Sequence, residues 1–548
     1  MQEKIRQIVA AKLAELGAGG TAFAVEWPAD LSHGDYAVNA AMAAAKSLGK
    51  NPKEVAEQIV GALKEGLGAD AARVEIAGPG FVNVALSHEA VTREINAAIA
   101  AGQAWGKGSA QTGKRVMVEY TQPNPFKEMH IGHLMSNTIG EAVSRLVENQ
   151  GAQVARANYQ GDVGPHVAKA LWGLRDKGIT EPESAAQIGA AYVAGARAYE
   201  DSPEAKAEID ALNVLIYAGT DTALMELWRK GREISLAAFE ELYRVLGTKF
   251  NFYFFESETA GPGLRIVEDG LAKGIFEKSN DAIIYNAEEK GGHTLVFVTS
   301  RGTPTYEAKE LGLAFLKEER WPSDRSIVTT STEQIGHFNT VLAALKEVGP
   351  ELGAKTLHVA HGFLRLTSGK MSSREGNVIT ADALIKDVTA KASEKNEDPL
   401  VAEMVGVGAI KYMILRQAPG SDIIFDPEKS LSLEGDSGPY LQYALVRAQK
   451  ILSYPSEGNG GEKPSAPYDI ERVILHYPEV VAHASHELAP NLLVNYLTQL
   501  AASWNAFYAN EQVLGSSEEA YKQDVARAFS QTMHNGLNLL GIQAPERM

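Results

Sequence analysis

His130 and His133 stand three residues apart with Gly132 between them, and Asn124 and Lys127 lie just upstream. Imidazoles so placed can donate hydrogen bonds to a phosphate that gains charge in a displacement, and a glycine lets a planar base lie close to the backbone. A second polar cluster lies 240 residues after His130, in Ser368-Gly-Lys-Met-Ser-Ser-Arg-Glu-Gly-Asn377. Its Lys370, Met371, Ser372 and Arg374 sit between glycines, and a lid over a triphosphate needs that reach, cationic charge and backbone freedom. Each cluster alone admits a plainer reading. The histidines could be a solvated pair or metal ligands at i, i+3, and the loop a solvated surface segment. No cysteine and no nearby third histidine completes a metal site, so the expectation for metal-ligating residues is none. Together, the two clusters point to chemistry on a nucleoside triphosphate.

Positioning them needs a strand, a turn and a helix. Apolar residues alternate through Arg115-Val-Met-Val-Glu-Tyr120, predicting a strand that enters a Pro-punctuated turn. A helix over 131–149 follows, with Ile131, Leu134, Met135, Ile139, Ala142 and Leu146 on one face and both histidines in its first turn. Unpaired N–H groups and the helix dipole make such an opening suited to an anion. A strand at 152–159 completes a βαβ unit of the kind that binds nucleotides at strand carboxyl ends. The same sheet is expected to resume at Phe250–Phe255, His293–Thr299 and Ser326–Thr330.

The chain is too long, at 548 residues, for one hydrophobic core. The expected architecture is multidomain α/β. Residues 1–100 read as an N-terminal α+β domain, with a helix opened by Asn51-Pro-Lys-Glu54 as a capping box, and two strands around Gly78-Pro-Gly80. Scaffold and binding roles are equally open for it. Residues 113–385 form a doubly wound parallel, Rossmann-type catalytic domain with a helical insertion at about 166–247. A connecting region spans 386–430, and 431–548 form a C-terminal all-α helical bundle with a loop at Ser456–Pro467. The amphipathic N-terminus and the lack of any long uncharged apolar run predict a cytoplasmic protein without a membrane span. Without cysteine, catalysis must rest on His, Lys and carboxylates. A net charge of −17 argues against indiscriminate nucleic-acid binding, though a local basic face could still take a specific RNA.

The pattern His-x-Gly-His resembles the signature of the HIGH nucleotidyltransferases, which include the class I aminoacyl-tRNA synthetases, and Lys370-Met-Ser-Ser resembles their Lys-Met-Ser-Lys-Ser motif. Other segments narrow the resemblance to the arginyl-tRNA synthetases and extend it over essentially the whole chain. These are His33-Gly-Asp-Tyr36, Gly78-Pro-Gly-Phe81, Lys127-Glu-Met-His-Ile-Gly-His133, Arg156-Ala-Asn158, Gly161-Asp-Val-Gly164, Tyr440-Leu-Gln-Tyr-Ala-Leu-Val-Arg447 and the terminus Leu540–Met548.

The resemblance implies ATP-dependent charging of tRNA(Arg) with L-arginine, with Mg²⁺ accompanying ATP, by a monomer. A guanidinium is planar, always charged and carries five donors, so its site needs carboxylates placed for bidentate contact and an aromatic or hydroxyl wall. Glu256, Tyr306 and Glu310 are the candidates, the last two at i, i+4 on one helix face. Asn124 and Gln334 match the residues that hold the amino acid's α-amino and carboxylate ends. His130, Gly132, His133, Lys370, Met371, Ser372 and Arg374 would bind ATP. The lid motif has Ser373 where a second lysine stands elsewhere, and Lys127 is expected to take its place beside Lys370. Tyr440, Gln442, Tyr443 and Arg447 are the candidates for tRNA, with the N-terminal domain at the tRNA elbow. Two departures bear on the arginine pocket. Glu310 stands where the family has Asp, and Gly161-Asp-Val-Gly-Pro-His166 stands where many relatives have Gly-Asp-Trp-Gly-x-Gln. Another class I enzyme, or a tRNA-binding paralogue without catalysis, is the alternative that a charging assay separates.

Overall fold

The computed structural model describes residues 1–28, 30–366, 379–455 and 462–548. The predicted lid residues Lys370, Met371, Ser372, Ser373 and Arg374, and the first part of the predicted loop at Ser456–Pro467, lie outside the described residues. The chain divides into two compact units. One comprises 108–440, 484–495 and 537–548, and the other 1–107, 441–483 and 496–536.

The first unit is built on a five-stranded, all-parallel sheet. Its strands are β1 (Arg115–Glu119), β2 (Gln153–Gln160), β3 (Phe252–Phe255), β4 (Arg325–Ser331) and β5 (Thr356–His361). Their spatial order is β5-β4-β1-β2-β3, so the chain reverses direction across the sheet between β1 and β4. In such sheets the crevice outside the carboxyl ends at that switch point is the natural ligand site. Strands β1 and β2 are joined through α1 (Ile131–Asn149), whose Gly140 packs against Tyr120 just past the end of β1. A Cβ there would come within 2.2 Å of the Tyr120 ring, so only glycine fits. Beneath it Tyr120, Arg145 and Arg156 converge on the buried Glu141 carboxylate.

Between β2 and β3 the insertion consists of α2 (Pro165–Asp176), α3 (Ala185–Asp201), α4 (Pro203–Ala218) and α5 (Thr222–Leu246). They close on their own core of Val167, Leu171, Ile188, Ile209 and Leu224, which also takes in Phe126 and Val163. Helices α6 (Glu256–Ala272), α7 (Tyr306–Arg320) and α8 (Ile335–Val348) follow. Buried Lys411 donates to the carbonyls of Leu246 and Gly541, each at 2.6 Å, and burial lowers its pKa to about 7.

One strand is misplaced by the sequence reading. Residues 295–298, from the predicted His293–Thr299 strand, do not join the parallel sheet. They pair antiparallel with Ala282–Tyr285, which pairs in turn with Glu277–Ser279. The hairpin turns on Asn280 and Asp281, both at positive φ (49° and 64°), a two-residue turn whose twist suits antiparallel strands. An apolar run announces a strand but not its partner.

In the second unit, residues 71–77 and 81–86 form the predicted strand pair, joined with 36–38 and 25–26 in an antiparallel sheet. Asn51 caps its helix by accepting from Lys53 N at 2.9 Å, and this contact, rather than a reciprocal one from Glu54, opens the helix. Asp35 and Tyr36 of the His-Gly-Asp-Tyr stretch turn inward. Asp35 accepts from Leu86 N and pairs with Arg472, while the Tyr36 hydroxyl and Trp27 Nε1 both donate to Glu479. These residues fasten the N-terminal sheet to helical segments from the C-terminal part of the chain.

Candidate active site

The turn from β1 into α1 is held against its backbone preference. Thr121, Gln122 and Phe126 all adopt positive φ (77°, 54° and 69°), which non-glycine residues do only when their surroundings over-determine it. Each is pinned from outside the turn. Thr121 N donates to Ser136 Oγ and its own Oγ1 accepts from Asn137, Gln122 Nε2 donates to Glu119, and Phe126 N donates to Ser235 Oγ of the insertion.

The helix then opens with its histidines as caps. His130 Nδ1 accepts from Gly132 N at 3.1 Å, and His133 Nδ1 accepts from His130 N at 3.2 Å. Their rings stack with centroids 3.7 Å apart. Because both Nδ1 atoms accept, the proton of each neutral ring resides on Nε2, so each ring presents one N–H donor. Burial keeps both below the ordinary histidine pKa, and neighbouring charge adds to this, from Lys127 at His130 and from His130 and Lys127 at His133. Gly132 makes room for the His130 ring, which a Cβ would meet at 2.9 Å. Just before them, Lys127 is half-buried with its Nζ 4.7 Å from the centroid of the Tyr192 ring on α3. No described carboxylate lies in ion-pair range of it.

A cleft of about 1090 Å³ opens over the strand ends. His130, Gly132, His133, Asn124, Glu256, Tyr306, Glu310 and Gln334 all line it, so every predicted ATP or arginine contact among the described residues except Lys127 shares one cavity. Asn124 Oδ1 accepts from Gly161 N at 3.0 Å, which leaves its Nδ2 as a donor. Burial raises the Glu256 carboxyl above the usual carboxylate range, against the opposing pull of Lys309, whose Nζ lies 2.6 Å away. Glu310 is pushed up to about 8, first by burial and then by the nearby Glu119, with His337 and Lys317 opposing. Glu119 is itself paired with Lys317.

Asp162 went unremarked as a site residue, yet it fixes the start of α6. It accepts from Ser257 N at 2.9 Å and Ser257 Oγ at 2.8 Å and pairs with Arg232, so the neighbouring Glu256 is aimed at the cleft. The two departures in this turn are absorbed. Val163 belongs to the insertion's core, away from the cleft lining. His166, whose pKa burial lowers to about 3, donates from Nε2 to Gly161 O at 2.8 Å.

Comparison with known proteins now decides the family. Residues 94–427 match the catalytic domain of tRNA synthetases class I (R), residues 3–86 the arginyl tRNA synthetase N-terminal domain, and residues 441–548 the DALR anticodon binding domain. The arginine–tRNA ligase of Treponema denticola is 30% identical over 545 residues, covering 92% of this chain and 91% of that protein. The chain belongs to the arginyl-tRNA synthetase family. A relative from Porphyromonas gingivalis, also named arginine–tRNA ligase, is 30% identical over 86% of each chain. The arginyl-tRNA synthetase structure from Thermus thermophilus superposes with a TM-score of 0.84 at 26% identity over 100% of both chains.

Within this arginyl-tRNA synthetase fold, the segment that begins at Ile379 returns to the histidines. Thr380 bridges His130, Ile131 N donates to Ile379 O and Ala381 N to Met129 O. The predicted tRNA residues separate. Tyr440 falls in the first unit and is half-buried. Gln442 is fully buried, one residue after buried Leu441 and three before buried Leu445. Tyr443 and Arg447 come together, the guanidinium lying 4.9 Å from the Tyr443 ring and 4.6 Å from that of Tyr508, and bonding Asn505. Asn505 and Tyr508 come from the helix Pro490–Asn510 and complete this cluster.

Proposed function

We infer that the chain is an arginine–tRNA ligase, activating L-arginine with ATP and transferring it to tRNA(Arg). The observation that carries this reading is the single cleft joining two neutral imidazole donors to two carboxylates whose proton affinity is raised. Arginine is proposed to lie with its guanidinium between Glu256, Tyr306 and Glu310, and its α-amino and carboxylate groups at Asn124 and Gln334. The carboxylate oxygen attacks the α-phosphorus of ATP, and the bond to pyrophosphate breaks. His130 and His133 donate from Nε2 to the phosphate oxygens as charge builds. Lys127, and Lys370 with Arg374 beyond the described residues, would offset charge on the leaving pyrophosphate, with Mg²⁺ arriving on the nucleotide. A ribose hydroxyl of tRNA then attacks the arginyl carbonyl and expels AMP.

Tyr443, Arg447 and Tyr508 suit the stacking of an unpaired anticodon base, and Tyr440 remains a separate candidate. No described helix is long and apolar enough to cross a membrane, and a cytoplasmic monomer is proposed. Activation is also proposed to need bound tRNA, so pyrophosphate exchange should stay at background until tRNA is added. The primary experiment is a charging assay with arginine, ATP, Mg²⁺ and tRNA. Arginyl-tRNA formation supports the reading, and an inert protein that still binds tRNA would return it to the paralogue alternative.

A further inference from the structure

Glu256 does not face the cleft with both oxygens. Lys309 Nζ lies 2.6 Å from Oε2 and 2.9 Å from the Tyr217 hydroxyl, and Lys309 is only 4% exposed. The other oxygen, Oε1, lies against Gly161, where an added Cβ would come within 2.9 Å of it and 2.6 Å of Asn124 Oδ1. Lys309 rides on α7 between Tyr306 and Glu310, with Nζ 5.2 Å from the Tyr306 ring centroid and 5.5 Å from that of Tyr217. Tyr217 comes from α4, so the insertion reaches the amino-acid side of the cleft. Burial disfavours the ammonium, but Glu256 and the Tyr217 hydroxyl more than offset it and hold the lysine charged.

The charges around this spot can be counted. Asp162 is paired with Arg232, and Glu307 with His337. Among the remaining groups Glu119 and Glu256 face Lys317 and Lys309, two carboxylates matched by two ammoniums, and Glu310, whose proton is held up to about pH 8, adds a negative charge only when it ionises. Without Lys309, Glu256 would lose the ammonium that favours its ionised form, and both of its oxygens would be open to a proton or to any cation, including a compact ammonium.

We propose that Lys309, held by Tyr217 of the insertion, is a positioning residue that sets selectivity for arginine. It occupies one oxygen of Glu256 and leaves the other, with Glu310, to a single guanidinium. This rests on the arginine reading of the cleft. With Oε2 committed, Glu256 offers one oxygen, so recognition requires a ligand broad enough to meet Oε1 and Glu310 together. A planar five-donor fork does this, and the three clustered donors of an ammonium do not. A second ammonium would also stand close to Lys309, where like charges repel.

The test uses the full-length protein in the charging reaction, with Lys309→Met, Lys309→Arg, Tyr217→Phe and Glu256→Gln. Lys309→Met is expected to raise the arginine KM roughly tenfold or more, with the ATP KM changed by less than about twofold. Its arginine KM should also fall more steeply with rising pH, because Glu256 without its ammonium takes a proton more readily. Inhibition by free lysine should strengthen relative to the arginine KM. Tyr217→Phe should move the same quantities less, and Lys309→Arg should restore them. Tyr217 is 38% exposed, so its variant serves if Lys309→Met does not fold. A merely structural lysine would lower kcat and move both KM values together without altering the pH profile. That result, or an unchanged arginine KM in both Lys309→Met and Tyr217→Phe while Glu256→Gln raises it, overturns the proposal and keeps the arginine reading. An unchanged arginine KM in Glu256→Gln overturns the arginine reading and the proposal with it.

Discussion

Lys127 stands beside the histidine pair and Lys309 beneath the acidic pair, and the fold uses the two in opposite ways. Lys309 is almost fully buried, with its charge committed to Glu256 and its second hydrogen bond made to Tyr217. Lys127 is half-buried over the face of Tyr192, with no described carboxylate in range. A cation resting on an aromatic face is held by roughly 0.5–1 kcal/mol at an exposed site, little enough for a phosphate to displace. A buried ion pair is far harder to break, because a partner left alone in the interior is strongly destabilised. The comparison separates a lysine kept available for a ligand's transient charge from one that shapes the pocket before any ligand arrives. In both cases the insertion supplies the tyrosine.

The sharpest way to break this contrast is at Lys127. Lys127→Ala should slow adenylate formation by roughly 10²-fold while the arginine KM stays nearly constant. Single-turnover rates with saturating arginine measure it, and an unchanged rate would place the leaving-group charge elsewhere. Away from the cleft, Arg447→Ala should raise the tRNA KM by roughly fivefold to 100-fold if a base stacks on the Tyr443–Arg447–Tyr508 surface. An unaltered tRNA KM would make that surface a structural feature of the bundle.

The acidic side can be sharpened by pH. In the free protein Glu310 binds its proton more tightly than an ordinary carboxylate, and an adjoining guanidinium favours the ionised form. Binding therefore expels a proton, and arginine affinity should rise with pH, by up to about tenfold per unit below the free-state pKa. Calorimetry in buffers of different ionisation enthalpy reads the released proton directly. Glu256, Glu119, Lys317 and His337 also face Glu310, so the control is Glu310→Gln, in which the release should shrink. Release undiminished in that variant would assign the proton to another group. The smallest effect is expected from Tyr192→Leu, a change of about two- to fivefold in the ATP KM, since only the resting place of Lys127 is lost.

Much of the ATP side was legible in the sequence because its parts are contiguous. The alternating strand, the turn and the helix with His130, Gly132 and His133 in its first turn lie within one short stretch, and each carries its own local signature. The insertion was readable from helical periodicity alone. The amino-acid side was legible only in part. Tyr306 and Glu310 share a helix face by spacing, but the pairing of Glu256 with Lys309 joins residues 53 positions apart and leaves no local trace. Tyr217 and Tyr192 are further examples, since surface helices carry tyrosines for many reasons. Residues 295–298 show the complementary limit, as hydrophobic alternation identified a strand without naming its sheet. Gln442 was suggested by residue type alone, which carries no sign that the helix buries it next to Leu441.

The account turns on the two sides of the cleft being chemically distinct, and Glu256→Gln tests that most directly. In charging reactions titrated separately with arginine and ATP, the arginine KM should rise by roughly tenfold to 100-fold while the ATP KM stays within about twofold. Equal movement of both, or of neither, would contradict the assignment of Glu256 to the guanidinium.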